Sequence, residues 1–134
     1  EAHRHDEVFI TANEIAGRLG RVLNPDPESE KGFYYRSDHF SFARVGIPAF
    51  YADPGVDYLD KPPGYGLEKR EEYTANDYHA VSDEVKPDWD LSGALDDLTF
   101  MYHMGARLAA TDEWPEWSAT SEFRAIREQQ RPGR

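Results

Sequence analysis

The sequence predicts an α/β fold in which helices pack on a small sheet. The main observation is the stretch 36–52, where a polar segment leads into a short helical pattern, a glycine at position 46 and the apolar run Ile47–Ala52. Two longer segments with apolar residues at helical spacing, one near the start of the chain and one beyond residue 90, are the other observations. Because α/β proteins place functional groups at strand ends, we expect the functional site beside residues 36–52.

The first predicted element is an amphipathic helix from Asp6 to Leu23. Its apolar residues recur on one face, as a helix that packs on a core requires. They are Val8, Ala12, Ile15, Leu19, Val22 and Leu23. Residues 24–32 then combine prolines, a glycine and acidic side chains, which predicts a surface loop.

The stretch around Gly46 predicts a unit of helix, turn and strand. Ser37 or Asp38 can cap a short helix over residues 39–45, because a side-chain oxygen there accepts a hydrogen bond from the exposed N–H groups. Gly46 stands where a helix commonly ends in left-handed backbone. The apolar residues 47–52 are expected to form a buried strand.

Residues 53–76 are predicted to form one long loop. They contain several prolines and glycines together with Tyr58 and Tyr65. Long loops inside a compact domain are uncommon and are usually functional or disordered. The aromatic side chains favour an ordered loop that lines a pocket.

The last predicted helix runs from Leu91 to Ala110, with Asp90 as its N-cap. We expect its apolar stripe to pack on the sheet. The stripe consists of Leu91, Leu95, Leu98, Tyr102, Gly105 and Ala109. Residues 111–134 are expected to form an irregular strap followed by a frayed tail.

Composition disfavours several classes of function. The net charge of −11 disfavours nucleic acid and anionic membrane surfaces as partners. Because the chain has no cysteine, neither a disulfide nor a thiolate metal site can form. No apolar run approaches the roughly 20 residues of a membrane span. A length of 134 residues suits a single domain.

Acidic, imidazole and phenol groups recur among apolar sequence at five positions: Asp38, His39, Tyr78, His79 and Asp83. A His-x-x-x-Asp spacing is frequent by chance. No second histidine or carboxylate stands at an obvious ligand spacing, whereas a catalytic zinc site needs three protein ligands. No glycine-rich phosphate loop, Gly-x-Ser-x-Gly turn or His-Glu-x-x-His helix is present. These residues alone leave the function open.

Two motifs together carry a resemblance to a known family. The first begins Arg36-Ser-Asp-His-Phe and ends Gly46-Ile-Pro-Ala, and the second is Tyr78-His79-x-x-x-Asp83. In this order, residues 8–110 resemble the C-terminal third of the zinc-dependent exopeptidases of the aminopeptidase, glutamate carboxypeptidase and glutaminyl cyclase family. The resemblance implies an α/β/α sandwich with a mixed sheet, of which residues 1–134 would be the C-terminal portion, a single partial domain.

The resemblance also implies a site with two zinc ions. His79 would ligate one of them, and Tyr78 would help to hold the polarised carbonyl or the tetrahedral oxyanion. Asp83 would anchor the turn that follows the ligand. The implied reaction is hydrolysis of a terminal peptide bond by a zinc-activated water, with a glutamate as general base.

The same resemblance assigns further residues to the site. Asp38 would support the catalytic groups, and His39 would line the substrate pocket. Tyr58 and Tyr65, in the predicted loop of residues 53–76, would shape the pocket that receives the terminal residue of a peptide substrate. An extracytoplasmic location, periplasmic or secreted, also follows from the resemblance.

The remaining zinc ligands of the family lie upstream of the part that this chain resembles. None of their motifs occurs between Glu1 and Tyr35. The expectation is therefore a C-terminal fragment of an aminopeptidase-like enzyme, inactive alone and unable to hold two zinc ions. Its expected partners are the missing N-terminal part of the same catalytic domain and, through an uncovered strand edge and apolar face, a second copy of itself.

Two alternatives stay open. A glutaminyl cyclase-type acyltransferase would keep the fold but use one zinc and an apolar pocket for an N-terminal glutamine. A non-catalytic binding domain would keep the fold without its metals, and the presence of His79 and Tyr78 argues only mildly against it.

Overall fold

The computed structural model describes residues 7–130, and within them all regular secondary structure is helical. The α-helices of this range are α1 (Glu7–Arg18), α2 (His39–Ala43), α3 (Tyr65–Asn76), α4 (Ser92–Ala109) and α5 (Arg124–Gln130). Two short 3-10 turns, Ser29–Lys31 and Phe33–Arg36, precede α2. None of the described helices is long and apolar enough to cross a membrane.

The predicted α/β sandwich with a mixed sheet is wrong, because residues 7–130 contain no strand. The predicted strand, residues 47–52, is irregular, and the Ile47 amide turns back to donate to the Phe42 carbonyl of α2 at 3.1 Å. A strand exists only as part of a hydrogen-bonded ladder with a neighbouring strand. The described part of the chain supplies no such neighbour. This apolar segment therefore adds to the core only through its side chains, such as Phe50 and Ala49.

The chain divides into two compact units. Unit 1 comprises Glu1–Ala52 and Leu98–Arg134, and unit 2 comprises Asp53–Asp97. Helix α1, the stretch around Gly46 and α5 therefore belong to unit 1. Helix α3 and the turn that follows it belong to unit 2.

The amphipathic helix predicted near the start of the chain is confirmed as α1. Its apolar residues Val8, Ala12 and Ile15 are buried, as their spacing predicts. The helix ends earlier than predicted, at Arg18, because the chain turns at Gly20 with a left-handed φ of 70°. Gly20 therefore marks the end of the helix.

Helix α4 packs on α1 through a face that the predicted stripe does not include. Phe100 and Met104 are buried in one cluster with the apolar residues of α1, and the Phe50 ring lies 6.2 Å from that of Phe100. The predicted stripe is therefore wrong as the core face. It is exposed by 61% at Leu91, 65% at Leu95, 67% at Leu98 and 71% at Tyr102. Helix α4 is apolar on two opposite sides, and α1 covers one of them.

The start of α4 has the predicted cap. The Asp90 carboxylate accepts a hydrogen bond from the Ser92 amide at 2.9 Å. Because this bond favours the charged carboxylate, it lowers the pKa of Asp90.

The C-terminal segment builds a second apolar cluster in unit 1. Trp117 and Phe123 are buried against Ala43 of α2, with Tyr34 and Phe40 packed around them. The predicted irregular strap, residues 111–134, is thus anchored by aromatic side chains and continues into α5.

Gly46 lies at the point where α5 approaches the end of α2. Its φ of 85° confirms the predicted left-handed residue. A Cβ at this position would lie 2.8 Å from the Arg127 amide nitrogen of α5, so a side chain has no room. The Gly46 carbonyl also accepts a hydrogen bond from the Trp117 indole at 3.0 Å. Glycine is required here by backbone conformation and by close packing together.

Unit 2 contains α3 where the sequence predicts only a loop, so the predicted loop of residues 53–76 is wrong from residue 65 onwards. A Cβ on the buried Gly66 would lie 2.1 Å from the Val56 carbonyl oxygen, which shows how closely the preceding segment crosses the helix. The Arg70 guanidinium fastens that segment by pairing with the Asp53 carboxylate at 2.8 Å and by donating to the Pro54 carbonyl at 2.7 Å. Helix α3 is therefore held by close backbone contact and by one well-placed arginine.

We predict that Gly46→Ala lowers the free energy of unfolding by about 3 kcal/mol, because it combines left-handed strain with a clash against the backbone of α5. Gly20→Ala is the matched control: its φ of 70° is also left-handed, but a Cβ there meets nothing within 4 Å. It should lower stability by only about 1 kcal/mol. Urea unfolding followed by circular dichroism measures both, and equal effects would contradict the packing role of Gly46.

Candidate functional site

The second predicted motif forms the turn that ends α3. The Tyr73 carbonyl accepts hydrogen bonds from both the Asp77 and the Tyr78 amides at 2.9 Å, which closes the last turn of the helix. The Ala80 amide then donates to the Asp77 carbonyl at 2.8 Å. Residues 77–80 therefore have a defined backbone conformation, and His79 lies inside this turn.

Asp83 ties the end of the turn back to α3. Its carboxylate accepts a hydrogen bond from the Tyr73 hydroxyl at 2.9 Å, and the Ser82 hydroxyl donates to the Asn76 carbonyl at 3.2 Å. The bond to Asp83 holds the Tyr73 phenol in its neutral form and raises the pKa of Tyr73. If Asp83 anchors the turn after His79, it must bond to a neighbouring element, and its hydrogen bond with Tyr73 of α3 is such a contact.

His79 has a backbone conformation that non-glycine residues seldom adopt. Its φ is 59°, in the left-handed region. Such residues persist only where their surroundings hold them, and they are enriched at binding and catalytic sites. The His79 ring stacks on that of Tyr78 with centroids 4.0 Å apart, and both side chains are exposed. The imidazole is therefore held by its neighbour yet remains accessible to a ligand.

The donor atoms within residues 7–130 do not complete a zinc site. No group of three or more histidine, aspartate or glutamate side chains in this range is placed to hold a metal ion. A catalytic zinc requires three protein ligands and an open position. His79 can supply one of them, so the described residues fit one ligand position and not the whole centre.

Asp38 and His39 lie at the start of α2 in unit 1. The predicted cap at Ser37 or Asp38 is wrong: Asp38 has helical backbone and makes no capping hydrogen bond, and the Ser37 hydroxyl donates to the Phe33 carbonyl at 3.1 Å. The Asp38 carboxylate is exposed.

His39 lies between two aromatic rings. Its ring stacks on Tyr51 at 4.9 Å and meets Tyr34 edge-on at 4.5 Å. Its Nε2 atom is buried and has no hydrogen-bond partner among the described residues. Burial lowers the pKa of His39, and the nearby charge of Asp38 opposes that shift in part. His39 is thus a neutral, packed imidazole, and nothing in its local sequence indicates the ring of Tyr51 beside it.

Tyr58 and Tyr65 form an aromatic pair in unit 2. Their rings lie edge to face with centroids 5.5 Å apart. The Lys61 and Lys69 ammonium groups lie 5.3 Å and 5.9 Å from the Tyr65 ring centroid, within the range of cation–π attraction. The structure therefore brings together two of the predicted pocket residues and adds cationic groups that the sequence did not single out.

The six predicted site residues fall into three neighbouring pairs. Asp38 and His39 are adjacent in unit 1. Within unit 2, the Tyr58–Tyr65 pair and the stacked Tyr78–His79 pair are each in contact. Arg70, which holds the segment before α3, is a contributor that sequence reasoning missed, because a charge run such as residues 68–72 has the pattern of a solvated face.

Comparison with known proteins gives one finding. The family model described as peptidase family M28 matches residues 2–103, which include both motifs. No curated protein and no solved structure matches the chain.

We predict that the His39 imidazole titrates below its ordinary value of 6.5, because its ring is packed between Tyr34 and Tyr51. A depressed pKa means that this group favours the folded state above pH 6.5 and that the contribution is lost as pH falls through the folded pKa. An NMR titration of the imidazole resonances measures the midpoint, with His39→Gln assigning the signal and weakening the pH dependence of stability.

His103→Gln is the control for that titration, because His103 is exposed and should leave the His39 resonance unchanged. A His39 midpoint at or above 6.5 would contradict the effect of its packing between the two aromatic rings.

Proposed function

Because the chain belongs to peptidase family M28, we propose that it forms one part of a zinc-dependent exopeptidase of the aminopeptidase type. Family membership confirms the resemblance drawn from the two motifs, and it assigns the chain to a class of hydrolases that cleave peptide bonds. The finer proposal is removal of the terminal residue of a peptide, with zinc supplying an activated water.

The observation that carries the proposal is the conformation of His79. A neutral imidazole is the commonest protein ligand for metals of this kind. His79 presents its imidazole on left-handed backbone with a φ of 59°, at the end of a helix whose last turn is fixed by hydrogen bonds. A purely structural histidine on an exposed turn would gain nothing from this strain. If His79 ligates a metal, the left-handed backbone is explained, because it holds the imidazole in the position that the metal requires.

The remaining metal donors are proposed to lie outside residues 7–130. That range offers His79 but no group of three donors, and a two-metal centre needs more ligands than one residue supplies. The chain is then the part of a catalytic domain that contributes one ligand and part of the pocket. Its peptide-binding surface would be completed by the polypeptide that brings the other ligands.

Tyr78 is proposed to act beside the ligand rather than on the metal, and Asp38, in unit 1, is proposed as a further catalytic group. The exposed Tyr78 phenol, stacked on His79, can donate a hydrogen bond to the developing oxyanion of a cleaved peptide bond. The exposed Asp38 carboxylate can orient a polar group at the start of α2. In unit 2, Tyr58 and Tyr65 are proposed to bind the terminal residue through their ring surfaces, and in unit 1 His39 is proposed as a further substrate-binding residue.

One observation favours a second candidate, a peptidase-like binding domain that does not catalyse. The lack of a three-donor group within residues 7–130 is also what a domain without metals would show. The two candidates differ in what His79 does: it binds zinc in the first and only packs on Tyr78 in the second.

We predict that the longer polypeptide required by the proposal hydrolyses aminoacyl anilides when zinc is present. His79→Ala should lower kcat/KM by about 100-fold or more, because loss of a ligand is at least as damaging as loss of a group that supports one. The 134-residue chain alone should show no hydrolysis with added zinc, since its donor set is incomplete. A chromogenic anilide assay measures all three.

His103→Ala is the control for this assay, because that imidazole is also exposed but lies in α4, outside the residues of both motifs. Equal losses for the two variants would contradict a specific role for His79. Activity towards an N-terminal glutamine peptide, in place of anilide hydrolysis, would instead assign the acyltransferase chemistry.

A further inference from the structure

Tyr73 contacts the turn that carries His79 in three different ways. Its carbonyl, in the last turn of α3, accepts hydrogen bonds from the Asp77 and Tyr78 amides at 2.9 Å. Its phenol hydroxyl donates to the Asp83 carboxylate, ten residues further along the chain, at 2.9 Å. Its ring meets the Tyr78 ring edge to face, with centroids 6.0 Å apart. One residue therefore joins the beginning of the turn, its end and the side chain next to His79.

The three aromatic rings form a row that ends at the imidazole. Tyr73 meets Tyr78 at an interplanar angle of 60°, and Tyr78 stacks on His79 at an angle of 26° with centroids 4.0 Å apart. Aromatic pairs in edge-to-face and stacked arrangements attract one another. The Tyr73 ring is held at both ends, by α3 at its Cα atom and by Asp83 at its hydroxyl. Tyr78, and through it His79, therefore packs on a ring whose orientation is fixed.

The hydrogen bond between Tyr73 and Asp83 is of the stronger kind. A hydroxyl that donates to an ionised carboxylate makes a charge-assisted bond, roughly twice as strong as a bond between neutral groups. Because Asp83 is exposed, water competes for its oxygens and reduces the net gain. The bond therefore adds little to the stability of the whole chain, but it favours one arrangement of the residues between its two partners.

The turn needs such a contact because His79 has left-handed backbone. A φ of 59° costs free energy for a residue with a side chain, so it persists only where the surroundings hold it. Backbone hydrogen bonds around His79 can form in any sequence that turns here, whereas the Tyr73–Asp83 bond depends on two particular side chains. Ser82 adds a second side-chain bond across the turn, to the Asn76 carbonyl, but a serine has no ring to support Tyr78.

We propose that Tyr73 is a positioning residue that fixes the direction in which His79 presents its imidazole. Its hydroxyl, bonded to Asp83, keeps the turn closed, and its ring supports Tyr78, on which the imidazole stacks. This role belongs to the conformation of the free chain, so it is measurable without a metal. Its meaning for catalysis rests on the proposed function: where His79 ligates zinc, Tyr73 orders the ligand in advance and lowers the cost of binding the ion.

NMR spectroscopy of the 134-residue chain tests this role with Tyr73→Phe, which removes the hydroxyl and keeps the ring. Left-handed backbone brings an amide proton close to its own Hα atom, so His79 should give a strong nuclear Overhauser effect between the two in the parent chain. Loss of one charge-assisted bond changes an equilibrium by about tenfold. Tyr73→Phe should therefore weaken this effect and shift the His79 ring resonances towards those of an unstacked imidazole. The free energy of unfolding in urea should change little, because Tyr73 is 40% exposed.

Thr74→Val is the matched control, because it removes a hydroxyl from the next residue of the same helix. The Thr74 hydroxyl donates to the Arg70 carbonyl at 2.8 Å, inside α3, so this variant should leave the His79 signals as they are in the parent chain. Asp83→Ala removes the other partner of the bond and should reproduce the effect of Tyr73→Phe. The double variant should change the His79 signals no further than either single one, because both substitutions remove the same bond.

The zinc dissociation constant of the longer polypeptide, measured by competition with a chelator, is the second readout. Tyr73→Phe should raise it about tenfold, as is typical when a group that orients a ligand is lost, and Thr74→Val should leave it within about twofold of the parent. The positioning role is overturned if Tyr73→Phe changes the His79 signals no more than Thr74→Val does. It is also overturned if zinc affinity falls in His79→Ala but not in Tyr73→Phe. Unchanged zinc affinity in His79→Ala would instead contradict the proposed function, and the NMR comparison alone would then decide the role of Tyr73.

Discussion

Backbone hydrogen bonding in residues 7–130 is local, so side chains alone hold distant segments together. Outside the helices, every described backbone bond joins residues no more than five positions apart. Long-range cohesion in unit 1 comes from two apolar clusters and a few side-chain hydrogen bonds, such as those from Trp117 to Gly46 and from Tyr35 to Glu122. Among the described residues, no backbone hydrogen bonds join the C-terminal segment to α2. The aromatic side chains Trp117 and Phe123 make that connection instead, and they bring α5 close to Gly46.

Features that depend on a few neighbouring residues could be predicted from the sequence. The spacing of Val8, Ala12 and Ile15 located α1, and the position of Gly46 after a short helix indicated left-handed backbone. Features that depend on a partner could not. An apolar run predicts a strand only if another strand lies beside it, and residues 47–52 have none in the described range. Likewise, spacing shows that α4 has an apolar stripe but not which of its two apolar sides meets α1. Helix α3 was missed because the glycines at positions 64 and 66 suggested a loop, whereas Gly66 permits the close crossing by Val56.

The candidate site shows the same division between local and distant information. The two motifs sufficed to indicate the peptidase family, because a motif can be recognised from its residues and their spacing without knowledge of the fold. The aromatic rings around His39 could not be foreseen, since Tyr34 and Tyr51 lie outside the motif. Nor does the motif reveal the left-handed backbone of His79. From the sequence, one imidazole was expected to be too few donors for a metal centre, and that expectation stays a prediction. Residues 7–130 offer no group of three metal donors.

The most direct measurement is X-ray absorption at the zinc edge of the longer polypeptide. The spectrum of the parent is compared with that of the His79→Ala variant. The account predicts a metal whose shell includes the His79 nitrogen at about 2.0–2.1 Å and loses one imidazole in the His79→Ala variant. An unchanged zinc coordination shell in that variant, with zinc still bound, would contradict the assignment of His79 as a ligand.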